Sequence, residues 1–69
     1  MIAQLRGVVA RTSGTFIVLD VNGVGYKVNV PLTVIENLPE PGQPLTLVTH
    51  TQVREDDISL FGFMDETEL

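Results

Sequence analysis

Three consecutive acids, Glu55, Asp56 and Asp57, interrupt the otherwise apolar stretch VREDDISLFGF at residues 53–63. Carboxylates packed this closely could divide acid and base roles if their burial differed, hold a cation, or hold anions away. The flanking runs read as two strands of a hairpin with the acids at its turn, where all three carboxylates stay ionised and repel one another. An acid–base pair is therefore not expected. A metal centre is not expected either, because the chain has no cysteine and a single histidine, His50. What remains is the charge itself, either as a solvated turn or as a device that repels other anions.

No other grouping offers catalysis. Ser13, Ser59 and His50 form no elbow or oriented triad in the sequence, and His50 lies among the polar residues Thr49, Thr51 and Gln52 of a strand. Gly23 and Gly25 join two strands rather than a strand and a helix, so they make no phosphate loop, and Gly42 fits a turn. No catalytic residue, cofactor site or metal site is expected. Single-strand nucleic-acid binders place aromatics on a basic face. Here Tyr26 reads as core, while Phe16 and either Phe61 or Phe63 could be exposed with no basic residue interleaved. Arg6, Arg11, Lys27 and Arg54 are scattered, and four basic against nine acidic residues give a net charge of -5. That balance lacks the clustered cations of phosphate binding. The apolar start is interrupted by Gln4 and Arg6 and no run approaches the length of a membrane span, so a soluble cytoplasmic domain is expected.

The elements that must hold the acidic turn follow from a period of two. Val24, Tyr26, Val28 and Val30 alternate with Gly25, Lys27 and Asn29, which predicts a half-buried strand. Residues 15–21 are β-branched and aromatic, and Asn22-Gly23 between the two runs predicts a two-residue hairpin turn. Ser13-Gly14 separates a first strand over residues 2–11, in which poor alternation around Gly7 predicts a bulge or bend there. The segment PLTVIENLPEPGQP predicts one or two helical turns over residues 33–38, with Thr33 and Glu36 as a capping box and Pro39, Pro41 and Pro44 ending it. Strands over residues 45–53 and 58–63 complete the chain. Five strands with a short helix between the third and fourth predict an all-β, five-stranded Greek-key barrel of the oligonucleotide/oligosaccharide-binding (OB) type, with an SH3-like barrel as the competitor.

One barrel domain is expected over residues 1–63. Residues 64–69 read as the start of a further helix, because Asp65 and Glu68 repeat the capping pattern with acids in the first turn. A helix that short needs packing to be stable, which predicts a longer natural chain.

Taken together, MIAQLRG at residues 1–7, NGVGYKV at 22–28, LPEPGQ at 38–43, TH at 49–50 and VREDDISLFGF at 53–63 resemble the N-terminal domain of the RuvA family. These are the bacterial proteins that recognise Holliday junctions in recombination and repair. The resemblance runs over the whole chain in the expected order. It implies an OB barrel that helps build a four-fold tetramer facing an opened four-way DNA junction. It also implies a following helical domain with two helix-hairpin-helix motifs that contacts the duplex arms, and a C-terminal domain that engages a hexameric motor ATPase; neither is present here. The domain itself is then non-catalytic. By position, Glu55 and Asp56 match the family's acidic pin at the junction centre. At ~5 Å and an effective dielectric of ~20, a carboxylate and a phosphate repel by about 3 kcal/mol, enough to penalise a duplex lying across the centre.

Two positions depart from the family pattern. Asp57 is a third acid of undetermined role, and Phe61 stands where tyrosine is common. Two other readings stay open: a generic single-strand nucleic-acid or oligosaccharide binder, and a structural assembly domain whose acidic turn serves solubility.

Overall fold

Alternating apolar residues dominate the chain, and the computed structural model, which describes residues 1–64, pairs them into one closed sheet. The elements are β1 (Gln4–Thr12), β2 (Phe16–Val21), β3 (Val24–Asn29), α1 (Leu32–Glu36), β4 (Pro44–Val53) and β5 (Ile58–Phe63). The sheet closes in the order β1-β2-β3-β5-β4, with β4 returning to β1. Every pairing is antiparallel except the short β3–β5 seam, which is parallel through Val28↔Leu60 and Asn29↔Phe61. This is the five-stranded barrel of OB type expected from the sequence, with its helix between β3 and β4. The Asp65–Glu68 capping pattern lies outside the described residues.

Inward positions supply the core. Ile17 and Leu19 of β2, Val28 of β3, Leu47 of β4 and Val34 of α1 are completely buried, and Leu5, Val30, Leu45 and Leu60 join them. Burying such side chains contributes on the order of 1.5–3 kcal/mol each. Helix α1 covers the barrel through Val34, while its Leu32 stays exposed. The seam between β3 and β5 is reinforced by the Asn29 side-chain amide, which donates to the Leu60 carbonyl (3.1 Å).

The Asn22-Gly23 turn forms as expected. Both residues take positive φ, 52° and 92°, and Val21 pairs with Val24. The Asp20 carboxylate accepts from the Gly23 N–H (2.7 Å).

Two local expectations are corrected. The irregularity in β1 falls between Val9 and Arg11 rather than at Gly7. Val9 pairs with inward-facing Leu19, and after the extra residue Ala10, Arg11 pairs with outward-facing Val18. This bulge switches the face of the strand and so accounts for the broken alternation. Gly7 instead marks a close approach, since a Cβ there would fall on the Asp20 carbonyl. The helix starts one residue earlier than expected, at Leu32, and Thr33 does not cap it. Pro31 is the N-cap, without a side-chain bond, because its extended backbone (φ -70°, ψ 162°) already turns the chain from strand to helix. The polar cap is at the other end, where the Asn37 amide donates to the Thr33 carbonyl (2.7 Å).

Gly62 sits inside the barrel where a Cβ would lie 2.6 Å from Val28 Cγ1 and 3.1 Å from Leu47 Cδ1. Gly62→Ala should destabilise the fold by about 1–3 kcal/mol, the usual range for overpacking. Gly14→Ala, which meets nothing within 4 Å, should stay within about 0.5 kcal/mol of the parent. Urea unfolding of both variants checks the contrast.

Candidate functional site: an acidic hairpin tip

The β4–β5 ladder runs from Val48↔Phe63 through His50↔Phe61 and Thr51↔Leu60 to Val53↔Ile58. Its inner end is core, with Leu60 and Thr49 buried. Its outer end runs into solvent, where Val53 and Ile58 are 70% and 68% exposed. Beyond them the Arg54 N–H donates to the Asp57 carbonyl (2.8 Å), which closes the hairpin and leaves Glu55 and Asp56 as its two end residues. Both are exposed, and neither uses a positive φ.

The three acids are thereby separated. The Asp57 carboxylate accepts from the Ser59 hydroxyl (3.0 Å), so it is held back along the hairpin. Glu55 and Asp56 project at the end, and no hydrogen bond is drawn to either side chain among the described residues. The sequence left Asp57 without a role, and its spacing of two residues from Ser59 was the available signal. Ile58 opens the strand expected over residues 58–63 but does not anchor the hairpin. The anchoring passes to Leu60 and Gly62, because the barrel ends before Ile58 is reached.

A polar fastening holds the hairpin's base. Thr49, the buried polar residue of the core, donates its hydroxyl to the Ile2 carbonyl (2.7 Å), and Thr51 donates to the same carbonyl (3.2 Å) while accepting the Ile2 N–H (3.0 Å). The Thr49 N–H donates to the Ala3 carbonyl (2.9 Å). The chain start is thus tied to β4 just below the point where the hairpin leaves the barrel. Of the adjacent pair Thr49 and His50, the threonine makes these bonds and the histidine is exposed.

The remaining candidates are placed apart from this tip or engaged otherwise. His50 is exposed on the outer face of β4, opposite Phe61. Ser59 lies near it on the neighbouring strand but gives its proton to Asp57, so His50 and Ser59 do not form a nucleophile–base pair. Ser13 sits at the β1–β2 turn, where its N–H donates to the Phe16 carbonyl (2.8 Å). Among the described residues no group of three His, Cys, Asp or Glu is disposed to hold a metal. A cleft of about 280 Å³ lies between residues 9–12 and 38–43, and Arg11 and Glu40 are the charged residues that line it. Among the described residues no helix is long and apolar enough to cross a membrane.

The aromatics need one correction. Tyr26 packs against the core as expected, whereas Phe16, Phe61 and Phe63 are half-buried on outward positions. A basic residue does accompany them: the Lys27 ammonium sits 4.7 Å from the centroid of the Phe16 ring. The two are eleven positions apart in sequence, and the β2–β3 register brings them together by pairing Lys27 with Val18. The lysine occupies the ring by a cation–π contact.

Fold and site together define a closed five-stranded OB barrel that carries a doubly acidic hairpin tip rather than a basic binding face. The RuvA N terminal domain family matches residues 1–62, and the chain belongs to it. The relatives named "Holliday junction branch migration complex subunit RuvA" include one from Pseudomonas paraeruginosa that is 50% identical over 68 residues. Others from Stutzerimonas stutzeri and Stenotrophomonas maltophilia are 48% and 47% identical over the same length. Each alignment covers 99% of this chain and 34% of the relative, so the chain spans about a third of the length of these curated relatives.

Thr49→Val keeps the shape and removes the hydroxyl that reaches Ile2. It should cost about 1 kcal/mol in urea unfolding. Amide exchange at Ile2 and Thr49 should rise with it, because the fastening of the chain start is weakened.

Proposed function

We propose that this domain is a non-catalytic DNA-architecture module, the N-terminal barrel of a junction-binding subunit, and that Glu55 and Asp56 are its acidic pin. The observation that carries the reading is the hairpin end. Its two outermost residues are both acids, exposed and, among the described residues, without side-chain hydrogen bonds, on a ladder rooted in the core. Family membership and the names of the relatives supply the context: a complex that moves a Holliday junction in recombination and repair.

In this reading four copies assemble around the junction and direct four pins at its centre. Negative charge there acts by repulsion. It raises the energy of any arrangement in which a phosphate backbone crosses the centre, and so favours an open crossover with its strands kept apart. Phosphates are attracted elsewhere, by a helical domain that follows the barrel in the longer protein, and a further domain engages a hexameric motor ATPase. Chemistry on the phosphodiester is not part of the role; the domain shapes DNA and the motor moves it.

The test places this barrel in a full-length context, with residues 1–68 replacing the matching third of the Pseudomonas paraeruginosa relative. Glu55→Gln with Asp56→Asn removes the charge and keeps the shape. Selectivity for four-way junctions over linear duplex should fall by about tenfold, since one lost repulsion of about 1.4 kcal/mol is already a factor of ten. Unchanged selectivity in a gel-shift competition would sink the reading.

The 69-residue chain alone, with its net charge of -5, should bind duplex DNA weakly and with a shallow salt dependence. A tight complex that dissolves steeply with salt in a fluorescence-anisotropy titration would contradict the division between repelling barrel and attracting helical domain.

A further inference from the structure

Val53 and Ile58 face each other across the outermost rung of the β4–β5 ladder, directly below the acidic end, and are 70% and 68% exposed. In the alternation of the two strands they share a side with Thr51 and Leu60, the side that points into the barrel two rungs earlier. The hairpin therefore carries a continuation of its core-facing surface out into solvent. Two β-branched side chains stand together there, rimmed by Arg54, Glu55, Asp56 and Asp57, three acids against one base. Nothing in the barrel covers them.

We propose that this apolar pair receives unpaired nucleobases at the crossover of a four-way junction; the inference rests on the pin reading above and adds a ligand to the same hairpin. The argument is one of charge and polarity. A DNA strand that approaches this end can present phosphate or base. The three carboxylates outnumber the Arg54 guanidinium on the same rim and disfavour phosphate, whereas a base is neutral at pH 7 and has an apolar face. Moving a crossover by one step breaks base pairs in two arms before pairs reform in the others, so bases lose their partners at the centre. Apolar side chains that enter between bases stabilise such unstacked steps in other DNA-binding proteins. Valine and isoleucine offer contact without hydrogen bonds, and so do not distinguish one base from another. That indifference suits a crossover that passes through any sequence. The acids set where the backbone runs, and the apolar pair below them shelters the bases that the opening frees.

The test uses the full-length chimera described above and a synthetic four-way junction with 2-aminopurine beside the crossover, or in an arm as control. Binding should change the fluorescence of the crossover probe. Val53→Thr with Ile58→Thr keeps β-branching on the strand and removes apolar surface; Val53→Ala with Ile58→Ala is the second pair, and thermal melting verifies that each is folded. Both pairs should lose at least about half of the crossover signal at saturation. The arm signal should be unaffected, and junction affinity should fall no more than about tenfold, the scale of one or two apolar contacts. An unchanged crossover signal in the folded variants overturns the proposal. So does a change of assembly state in light scattering with the crossover signal intact, which would assign the pair to contacts between copies. The charge-neutral pin variant separates the two ideas. Reduced junction selectivity there, together with an unchanged crossover signal in the Val53/Ile58 variants, would leave the pin reading standing and remove this one.

Discussion

The β4–β5 ladder is longer than the barrel that contains it, and the rest of the site depends on that mismatch. Six paired positions run from Val48↔Phe63 to Val53↔Ile58. Only the inner part is covered by other strands: β1 meets β4 between Pro44 and Val48, and β3 meets β5 at Leu60 and Phe61. A hairpin of two strands is marginal in water on its own. This one projects because its base is cemented to Leu47, Val28 and Leu5 while its end needs no cover. The exposed rung and the acidic end are thus mechanically continuous with the core.

Small polar groups complete what the apolar core begins. Thr49 and Thr51 bind the start of the chain to the hairpin's base, and the Asn29 amide bridges the short parallel seam to the Leu60 carbonyl. Each bond is worth about 1 kcal/mol net, but their placement matters more than their sum. They lie on either side of the hairpin, at the two junctions where neighbouring strands stop supporting it. Fixing those junctions limits the angles at which the hairpin end can swing.

Charge is distributed to match. Among the described residues Glu55 and Asp56 stand unengaged at the extremity, and Glu36 and Glu40 are likewise exposed without side-chain hydrogen bonds elsewhere, while Asp57 is held by Ser59 and Asp20 by the N–H of Gly23. Of the bases, Lys27 is stacked on Phe16. The domain carries net negative charge at one end, and its basic residues form no broad cationic face.

The strands, their order and the acidic turn are legible in the residues alone. Alternation, Asn22-Gly23 and the proline-bounded helix are local signals, governed by side-chain period and backbone φ preferences that act over a few residues. Those signals led to an OB barrel with Glu55 and Asp56 at a hairpin turn. They failed where distant segments decide. The face switch in β1 depends on how it meets β2, so the broken alternation points to Gly7 while the bulge lies between Val9 and Arg11. One failure is local: Thr33 matches a capping pattern, yet Pro31, two residues earlier, sets the helix start. The Lys27–Phe16 contact needs the β2–β3 register. Above all, Val53 and Ile58 carry the parity of core residues, and no local pattern distinguishes them from Thr51 and Leu60. Only the tertiary structure decided that they are exposed, because burial depends on where the neighbouring strands end.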